Sequence, residues 1–320
     1  MNNILVTGCA GFIGSHLVET LLKKGVSVTG IDSLDPYYSV DLKKRNLLAL
    51  KEFGNFHLIT GDISEDSILK EAFKDIEIVY HLAASAGVRN SINNPTQYCQ
   101  NDVLNTARLL ELSGKMDVRK FVYASSSSVY GEVPENELPM GEDRVPKPVS
   151  PYALSKFQGE MWCSLYTDLY GLKTTRLRYF TVYGPRQRPD EAFTKFITRI
   201  LRGDTIEIYG DGNQTRDFTY VDDIVEGTLL AGDKGNGVYN LGGGNRVSVN
   251  DMVSVISKAM NVEPKITYME KQQGDVLHTQ ADISKARKDL GYQPKVSLEE
   301  GTRRHVEWAK KLINDGFVFS

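Results

Sequence analysis

The first half of the chain alternates short apolar runs with longer amphipathic stretches. The short runs predict β-strands at Ile4–Thr7, Ser27–Ile31, His57–Thr60, Glu77–His81, Phe121–Ser125 and Thr174–Arg178. The longer stretches predict helices at Phe12–Lys24, Leu42–Lys51, Ser64–Phe73 and Thr96–Leu112, with a further long helix after Pro151. Apolar strands that alternate with helices are typical of a parallel sheet covered by helices on both faces. We therefore predict an α/β fold built on a doubly wound parallel sheet.

The second half is less regular and contains turn-rich segments at Gly210–Asn213 and Gly242–Asn245. Later helices are predicted at Asn250–Met260, Ile283–Leu290 and Leu298–Ile313. Because no linker-like segment stands out, we expect a smaller C-terminal α/β part that packs against the sheet and binds the substrate. The first domain would comprise residues 1–178 with about 217–247, and the second about 179–216 with 248–320.

Composition excludes several classes of protein. The 320 residues carry a formal net charge of −3, which does not favour a nucleic-acid partner. No apolar run approaches the ~20 residues of a membrane-spanning helix, and the N-terminus lacks the basic and apolar segments of an export signal. Cys9, Cys99 and Cys163 are odd in number and widely spaced, so we expect neither a disulfide framework nor a metal site. These features favour a cytoplasmic protein.

Three glycines follow the first predicted strand and open the first predicted helix. Gly8, Gly11 and Gly14 would form a tight turn that lets a pyrophosphate approach the backbone N–H groups of the helix N-terminus. The second strand ends at Asp32, 18 residues after Gly14, where a carboxylate can accept hydrogen bonds from ribose hydroxyls. No arginine follows Asp32 directly, which favours NAD over NADP as the cofactor.

A possible catalytic group follows in the long helix. Tyr152 and Lys156 are four residues apart and therefore share one helix face, which brings the ammonium near the phenol. A free tyrosine has a pKa of about 10, and a nearby cation favours its phenolate. Tyr152 could then act as a base toward a sugar hydroxyl. The serine run Ser125–Ser128 follows the fifth strand, at the end of the sheet where such folds bind ligands.

These motifs resemble the extended short-chain dehydrogenase/reductase family, and the resemblance covers nearly the whole chain. It implies a Rossmann-type fold and a nucleotide-sugar substrate. It implies that Ser126 hydrogen-bonds the reacting hydroxyl, that Tyr179 lies near the nicotinamide, that Arg216 binds the substrate diphosphate and that Asp275 binds its ribose. Further cofactor contacts are expected at Phe12, Ile13, Asp62, Ile63, Leu82, Ala83, Ala84 and Asn101.

Acidic residues that this chain lacks narrow the choice among the reactions of the family. Sugar dehydratases carry an Asp-Glu pair where this chain has Ser127 and Ser128, and decarboxylases commonly carry Glu in place of Ser128. Elimination requires an acid and a base beside the sugar, and no carboxylate is present there. The economical reaction is therefore oxidation and re-reduction of one carbinol, which is epimerisation.

The sugar is predicted from a narrower resemblance to UDP-glucuronate 4-epimerases. Arg89, Thr181 and Arg188 stand in segments similar to that subgroup, and an arginine offers a bidentate partner to a hexuronate carboxylate. We expect Ser127, Ser128, Thr181 and Arg188 to hold this carboxylate away from the alignment that favours loss of CO2. The alternatives are a UDP-glucose or UDP-N-acetylglucosamine 4-epimerase, a UDP-glucuronate decarboxylase, and an NAD-binding sensor or scaffold without turnover.

Assembly is also predicted from the family resemblance. Members often dimerise through two helices per subunit, here Thr96–Leu112 and the helix spanning Tyr152–Tyr170. Five large side chains on the second helix cannot all face the sheet: Met161, Trp162, Leu165, Tyr166 and Leu169. We therefore expect a homodimer with a four-helix interface.

Overall fold

The protein is built around a seven-stranded parallel sheet. The structure is a computed structural model that describes residues 3–270 and 276–319. The sheet order is β11-β6-β5-β4-β1-β2-β3, which places the switch in strand order between β1 and β4. The sheet strands are β1 (Asn3–Thr7), β2 (Ser27–Asp32), β3 (Phe56–Thr60), β4 (Ile78–His81), β5 (Lys120–Ser126), β6 (Thr174–Tyr179) and β11 (Gly237–Leu241). The doubly wound α/β prediction is confirmed.

Two helical layers cover the sheet, and successive strand residues point into different layers. Ile4 and Val6 of β1 join one apolar cluster, whereas Leu5 between them joins the other. This two-sided burial explains why the strands read as continuous apolar runs. The helices are α1 (Phe12–Lys23), α2 (Val40–Lys51), α3 (Asp66–Ala72), α4 (Val88–Asn93), α5 (Pro95–Tyr98), α6 (Asn105–Lys115), α7 (Pro151–Tyr170), α8 (Ala192–Arg202), α9 (Val221–Lys234), α10 (Val249–Met260), α11 (Ser284–Leu290) and α12 (Leu298–Asn314).

The prediction of one continuous helix at Thr96–Leu112 is wrong. The chain forms α5, then a π-helical segment at Cys99–Leu104, and then α6. The wider turn places Asp102 inward, where it is buried, while Leu104 remains exposed. Segments of π-helix are frequent at functional sites because they re-aim side chains.

Three helices and one strand of the seven-stranded sheet were not predicted from the sequence, namely α4, α8, α9 and β11, and neither were the short strands of the C-terminal part. Helix α9 contains Gly227 and Gly232, residues that usually weaken a helix. A Cβ on Gly232 would lie 2.0 Å from the hydroxyl of Tyr80, so the glycine allows the helix to pack closely on β4. Strand β11 pairs with β6 and completes the sheet.

The smaller C-terminal part contains three two-stranded sheets. Their strands are β7 (Thr181–Tyr183) with β10 (Phe218–Tyr220), β9 (Thr215–Arg216) with β12 (Val247–Ser248), and β8 (Ile206–Tyr209) with β13 (Ile266–Met269). Helices α8, α10 and α12 pack together beside them. Among the described residues, no helix has the length and apolar character required to cross a membrane. All three cysteines are free thiols.

Candidate active site

A cleft of about 560 Å³ opens at the carboxyl ends of β1, β2, β4, β5 and β6. This is the edge at which parallel α/β sheets bind their ligands. The cleft brings together eighteen of the residues that the sequence singled out. They are Gly8, Gly11, Phe12, Ile13, Gly14, Asp32, Asp62, Ile63, Leu82, Ala83, Ala84, Ser126, Ser127, Tyr152, Lys156, Tyr179, Thr181 and Arg188.

Of the other predicted residues, four lie elsewhere in the described structure. Asn101 lines a smaller adjoining hollow of about 130 Å³. Ser128, Arg89 and Arg216 are not among the described residues that line the cleft. The guanidinium of Arg89 lies 5.1 Å from the ring centre of Tyr209, and Arg216 donates to the Leu277 carbonyl at 3.1 Å. Asp275 lies outside the described residues.

The glycine turn has the shape that a pyrophosphate site requires. Gly8 has φ +74°, and a Cβ there would lie 2.8 Å from the backbone nitrogen of Ala83. A Cβ on Gly14 would lie 2.1 Å from the Gly8 carbonyl oxygen, so α1 can begin against the turn only without a side chain there. The turn therefore leaves the N-terminus of α1 open to a phosphate group.

Asp32 lies where β2 ends and is held by backbone N–H groups on both carboxylate oxygens. Ala10 donates to Oδ2 and Leu34 donates to Oδ1, each at 2.9 Å. Each carboxylate oxygen can accept a further hydrogen bond, and the side chain borders the cleft. Lys43 on α2 also borders the cleft. Burial lowers the pKa of the Lys43 ammonium, and the negative charge of Asp32 partly offsets that effect. Lys43 was not predicted as a site residue because one lysine in an amphipathic helix is typical of an ordinary surface residue.

Ser126 ends β5 and caps the 3-10 turn Ser127–Tyr130. Its Oγ accepts hydrogen bonds from the Ser128 backbone at 3.2 Å and from the Ser128 hydroxyl at 2.9 Å. The Ser128 hydroxyl therefore donates to Ser126, and the contact of Ser128 with substrate stays a prediction. Ser127 does border the cleft.

Tyr152 and Lys156 lie in the first turns of α7. Ser150 caps the helix by accepting from the Ala153 backbone at 3.1 Å, and Pro151 occupies the first helical position. The ammonium of Lys156 donates to the Ala124 carbonyl at 3.0 Å and lies 5.9 Å from the ring centre of Tyr152. The cap and the helix therefore fix both side chains against the end of β5.

Burial decides the protonation state of Tyr152. Desolvation raises its pKa to about 12, against the opposing effect of the hydrogen bond with Ser126. The phenol therefore holds its proton in the protein alone, and an added positive charge close to the ring is required to make it a base near neutral pH.

Asp102 is a second site residue that was not predicted from the sequence. Its carboxylate accepts from the Ser85 backbone at 2.7 Å and from the Ser155 hydroxyl at 3.0 Å, beside the face of α7 that carries Tyr152 and Lys156. Burial raises its pKa, whereas the charge of Lys156 lowers it. Asp102 thus places a carboxylate near the buried ammonium. Only the π-helical segment turns it inward, and the sequence gives no sign of that turn.

Arg188 borders the cleft but is already paired. Its Nε and Nη2 donate to the two carboxylate oxygens of Asp190 at 3.0 Å each, and Nη1 lies 3.2 Å from Glu191. The guanidinium lies 5.8 Å from the ring centre of Tyr37. A ligand carboxylate would therefore join or compete with two existing ion pairs.

Known proteins with a similar sequence and fold include nucleotide-sugar epimerases that bind NAD. The sequence model of the NAD dependent epimerase/dehydratase family matches residues 4–242. A UDP-glucuronate 4-epimerase of Thermodesulfobacterium geofontis is 44% identical over 319 residues, which cover 98% of each chain. The crystal structure of a UDP-glucuronic acid 4-epimerase from Bacillus cereus, in complex with UDP-glucuronic acid and NAD, is 40% identical with a TM-score of 0.92. That match covers 97% of this chain and 99% of the other.

A structure with a different sugar is almost as similar. The UDP-glucose 4-epimerase from Thermotoga maritima, solved with UDP-glucose, is 38% identical with a TM-score of 0.90. The match covers 97% of this chain and 99% of that one. The similarity in fold therefore spans epimerases that act on an acidic and on a neutral hexose.

Proposed function

This chain belongs to the NAD dependent epimerase/dehydratase family, and from that premise we propose that it interconverts UDP-glucuronate and UDP-galacturonate by epimerisation at C4. The observation that carries the proposal is the meeting of Ser126, Tyr152 and Lys156 in the same cleft as the glycine turn. Bound NAD would supply the reversible two-electron oxidation of the sugar carbinol.

The cleft residues fit NAD as the resident cofactor. The backbone of the glycine turn and the N-terminus of α1 would bind the pyrophosphate, and Asp32 would accept from the adenosine ribose. Asp62, Ile63, Leu82, Ala83 and Ala84 would line the adenosine half, with Asn101 in the adjoining hollow. A ribose 2′-phosphate would meet the charge of Asp32, so NAD is proposed rather than NADP.

Tyr152 is proposed to move the proton of the reacting hydroxyl. The positive charge of the oxidised cofactor and that of Lys156 would both favour the phenolate, against the burial that raises its pKa. Ser126 would hydrogen-bond the reacting oxygen and hold it against the phenolate. The same phenol would return the proton when the carbinol forms again with the opposite configuration.

The absence of an acid at two positions supports epimerisation over elimination. Ser127 and Ser128 occupy the positions at which dehydratases of the family carry an acidic pair, so neither position supplies a carboxyl group to transfer the additional proton. Oxidation of a hexuronate at C4 gives a β-keto acid, which loses CO2 when the breaking bond aligns with the carbonyl. Ser127, Ser128, Thr181 and Arg188 are proposed to hold the carboxylate out of that alignment.

A neutral hexose is the second candidate substrate, and one observation favours it. Arg188 already makes a bidentate pair with Asp190 and a further pair with Glu191, so its charge is balanced before a ligand arrives. Because UDP-glucose carries no carboxylate, its site would not require Arg188 to bind one. The two candidates are distinguished by a panel of UDP-sugars followed by NMR, in which a preference for UDP-glucose would reject the uronate.

The remainder of the nucleotide sugar is assigned to the C-terminal part. We propose that residues 1–178 with about 217–247 form the NAD-binding domain, and about 179–216 with 248–320 the nucleotide-sugar domain. Arg216 is proposed to bind the diphosphate, since an arginine forms two charge-assisted hydrogen bonds with such a group. Arg89 and Asp275 are carried over as proposed substrate contacts from the family resemblance alone.

A homodimer is proposed from the outer face of α7. Met161, Leu165 and Leu169 are 57%, 43% and 63% exposed, and Trp162 lies beside them. Contiguous apolar surface of this kind is typical of a protein interface. Sedimentation at micromolar concentration is expected to give a dimer, and a monomer there would reject this assembly.

A further inference from the structure

A buried ion pair lies behind the cleft. Arg178 near the end of β6 donates from Nε and Nη2 to the two carboxylate oxygens of Glu160, at 2.9 and 2.7 Å. Both side chains are only 4% exposed, and neither is among the described residues that line the cleft. Burial opposes the charge of Arg178, but hydrogen bonds and the charge of Glu160 outweigh it and raise the guanidinium pKa. The guanidinium therefore stays charged, yet the proposed chemistry gives the pair no role.

Glu160 links this pair to the catalytic face of α7. It follows Lys156 by four residues and Tyr152 by eight, so the three side chains share one side of the helix. The Ser125 hydroxyl donates to Glu160 Oε1 at 2.5 Å. Ser125 directly precedes Ser126 and pairs with Arg178 across the sheet. The helix, β5 and β6 are thus joined at the residue before the catalytic serine.

Arg178 also contacts the far end of the 3-10 turn Ser127–Tyr130. Its guanidinium lies 4.7 Å from the ring centre of Tyr130, the last residue of the 3-10 turn that Ser126 caps. The Tyr130 hydroxyl donates to Asn240 Oδ1 at 2.7 Å, at the neighbouring strand β11. The ion pair therefore contacts Ser125 through Glu160 and Tyr130 through Arg178, on either side of Ser126.

We propose that the Glu160–Arg178 pair is a positioning device that sets the Ser126 hydroxyl against Tyr152. Replacing a buried ion pair by apolar residues of similar volume is often neutral or stabilising, so stability alone does not account for this pair. Its planar, two-bond geometry instead fixes the relative placement of a helix and two strands. This inference rests on the proposed function, because it gives Ser126 and Tyr152 their catalytic roles.

The test removes the connection without removing a charge. Ser125→Ala deletes only the hydroxyl that reaches Glu160, and Arg178→Lys keeps the charge but loses the two-bond geometry and the contact of the guanidinium with the Tyr130 ring. Ser113→Ala is the matched control, since Ser113 is also fully buried and donates to a backbone carbonyl, that of Leu109 at 2.7 Å. All variants are compared with wild type as the NAD-loaded protein.

Both test variants are expected to lower kcat about ten- to a hundredfold with KM for the UDP-sugar unchanged, as misplacement of a reacting group does. Because the hydrogen bond with Ser126 lowers the Tyr152 pKa, the acidic limb of the kcat profile should move to higher pH. An ultraviolet phenolate titration, with Tyr152→Phe subtracted, should show the same upward shift without any turnover. Ser113→Ala should change none of these quantities.

The outcomes separate the two proposals. If wild type is active but both test variants keep its kcat, pH profile and phenolate titration, the positioning role is wrong. If wild type turns over no UDP-sugar, the proposed function fails, and the phenolate titration still decides whether the pair controls Tyr152. A fall in kcat with an unmoved titration would reduce the pair to a structural role and would also reject the proposal.

Discussion

At the scale of single residues, the chemistry depends on the surroundings of one phenol. The Tyr152 side chain is half-buried, contacts Ser126 and lies near Lys156 and Asp102, and desolvation raises its pKa to about 12. A proton acceptor of this kind is inactive until a cation is added beside it. Binding of the oxidised cofactor would therefore activate the base as well as prepare the oxidation.

Replacing Tyr152 by phenylalanine tests this role. The change removes one hydroxyl and leaves the ring in place, so the fold and NAD binding should be preserved. Loss of a positioned acid–base group typically costs about 10²–10⁴ in rate. Steady-state kinetics with UDP-glucuronate should show this fall in kcat, and turnover at the wild-type rate would remove Tyr152 from the mechanism.

Arg188→Ala tests the proposed hold on the sugar carboxylate. The loss of a hydrogen bond to a charged group costs roughly 1.5–3 kcal/mol, which is about ten- to a hundredfold in binding or partitioning. Because Asp190 and Glu191 already share this guanidinium, we expect a value near the lower end. UDP-glucuronate should bind more weakly and give more decarboxylated pentose product, measured by mass spectrometry. UDP-glucose should be little affected, and equal impairment of both sugars would contradict the assignment.

The sequence identified residues whose type and spacing are tied to their chemistry. The glycines, Asp32, Tyr152 and Lys156 follow directly from strand ends and helix periodicity, and the cleft contains all of them. Asp102 and Glu160 escaped notice because their importance comes from burial beside a partner distant along the chain. Ser128 is predicted to contact the substrate, and in the structure its hydroxyl donates to Ser126.

At the scale of elements, the glycine turn gives the sharpest steric test. Gly14→Ala would place a Cβ 2.1 Å from the Gly8 carbonyl oxygen, so the start of α1 must shift and the phosphate site must open. We expect loss of copurifying NAD, measured by absorbance, and a lower unfolding temperature. Gly114→Ala on the exposed side of α6 is the control, since its Cβ meets nothing within 4 Å. It should stabilise the helix by about 0.5–1 kcal/mol, and equal effects of the two changes would contradict the account.

Helices with strong amphipathic patterns were predicted within a few residues, as for α1, α10 and α12. The pattern failed where packing contradicts local preference. Helix α9 keeps glycines for close contact with the sheet, and the π-helical segment interrupts a stretch that reads as continuous helix. Both features follow from contacts between elements distant in sequence, which periodicity does not report.

At the scale of the whole molecule, α12 closes the C-terminal part through a buried histidine. His305 Nε2 lies 3.0 Å from the Thr194 hydroxyl on α8, and its ring stacks on Phe193. Burial lowers its pKa from 6.5 to about 3, so the folded protein holds it neutral. Below the pKa that His305 has in the unfolded chain, the unfolded chain binds a proton at His305 that the folded chain does not bind. The free energy of unfolding therefore falls as the pH falls.

This linkage predicts a pH-dependent difference between wild type and His305→Gln. The stabilising contribution of His305 is complete above about pH 6.5 and decreases by about 1.4 kcal/mol per pH unit below it. Urea unfolding should therefore show the free-energy difference between the two proteins shift by roughly 2.5 kcal/mol, against wild type, from about pH 7 to about pH 4.5. A difference that is constant with pH would mean that His305 titrates normally in the folded protein.

The measurement that tests the central proposal most directly is the conversion of UDP-glucuronate by the purified protein without added NAD, followed by NMR. The cofactor should remain bound and be regenerated in each turnover. We predict that UDP-galacturonate accumulates to equilibrium with no pentose product, and that UDP-glucose is converted far more slowly. No conversion of UDP-glucuronate by NAD-loaded protein, or a clear preference for UDP-glucose, would contradict the proposal.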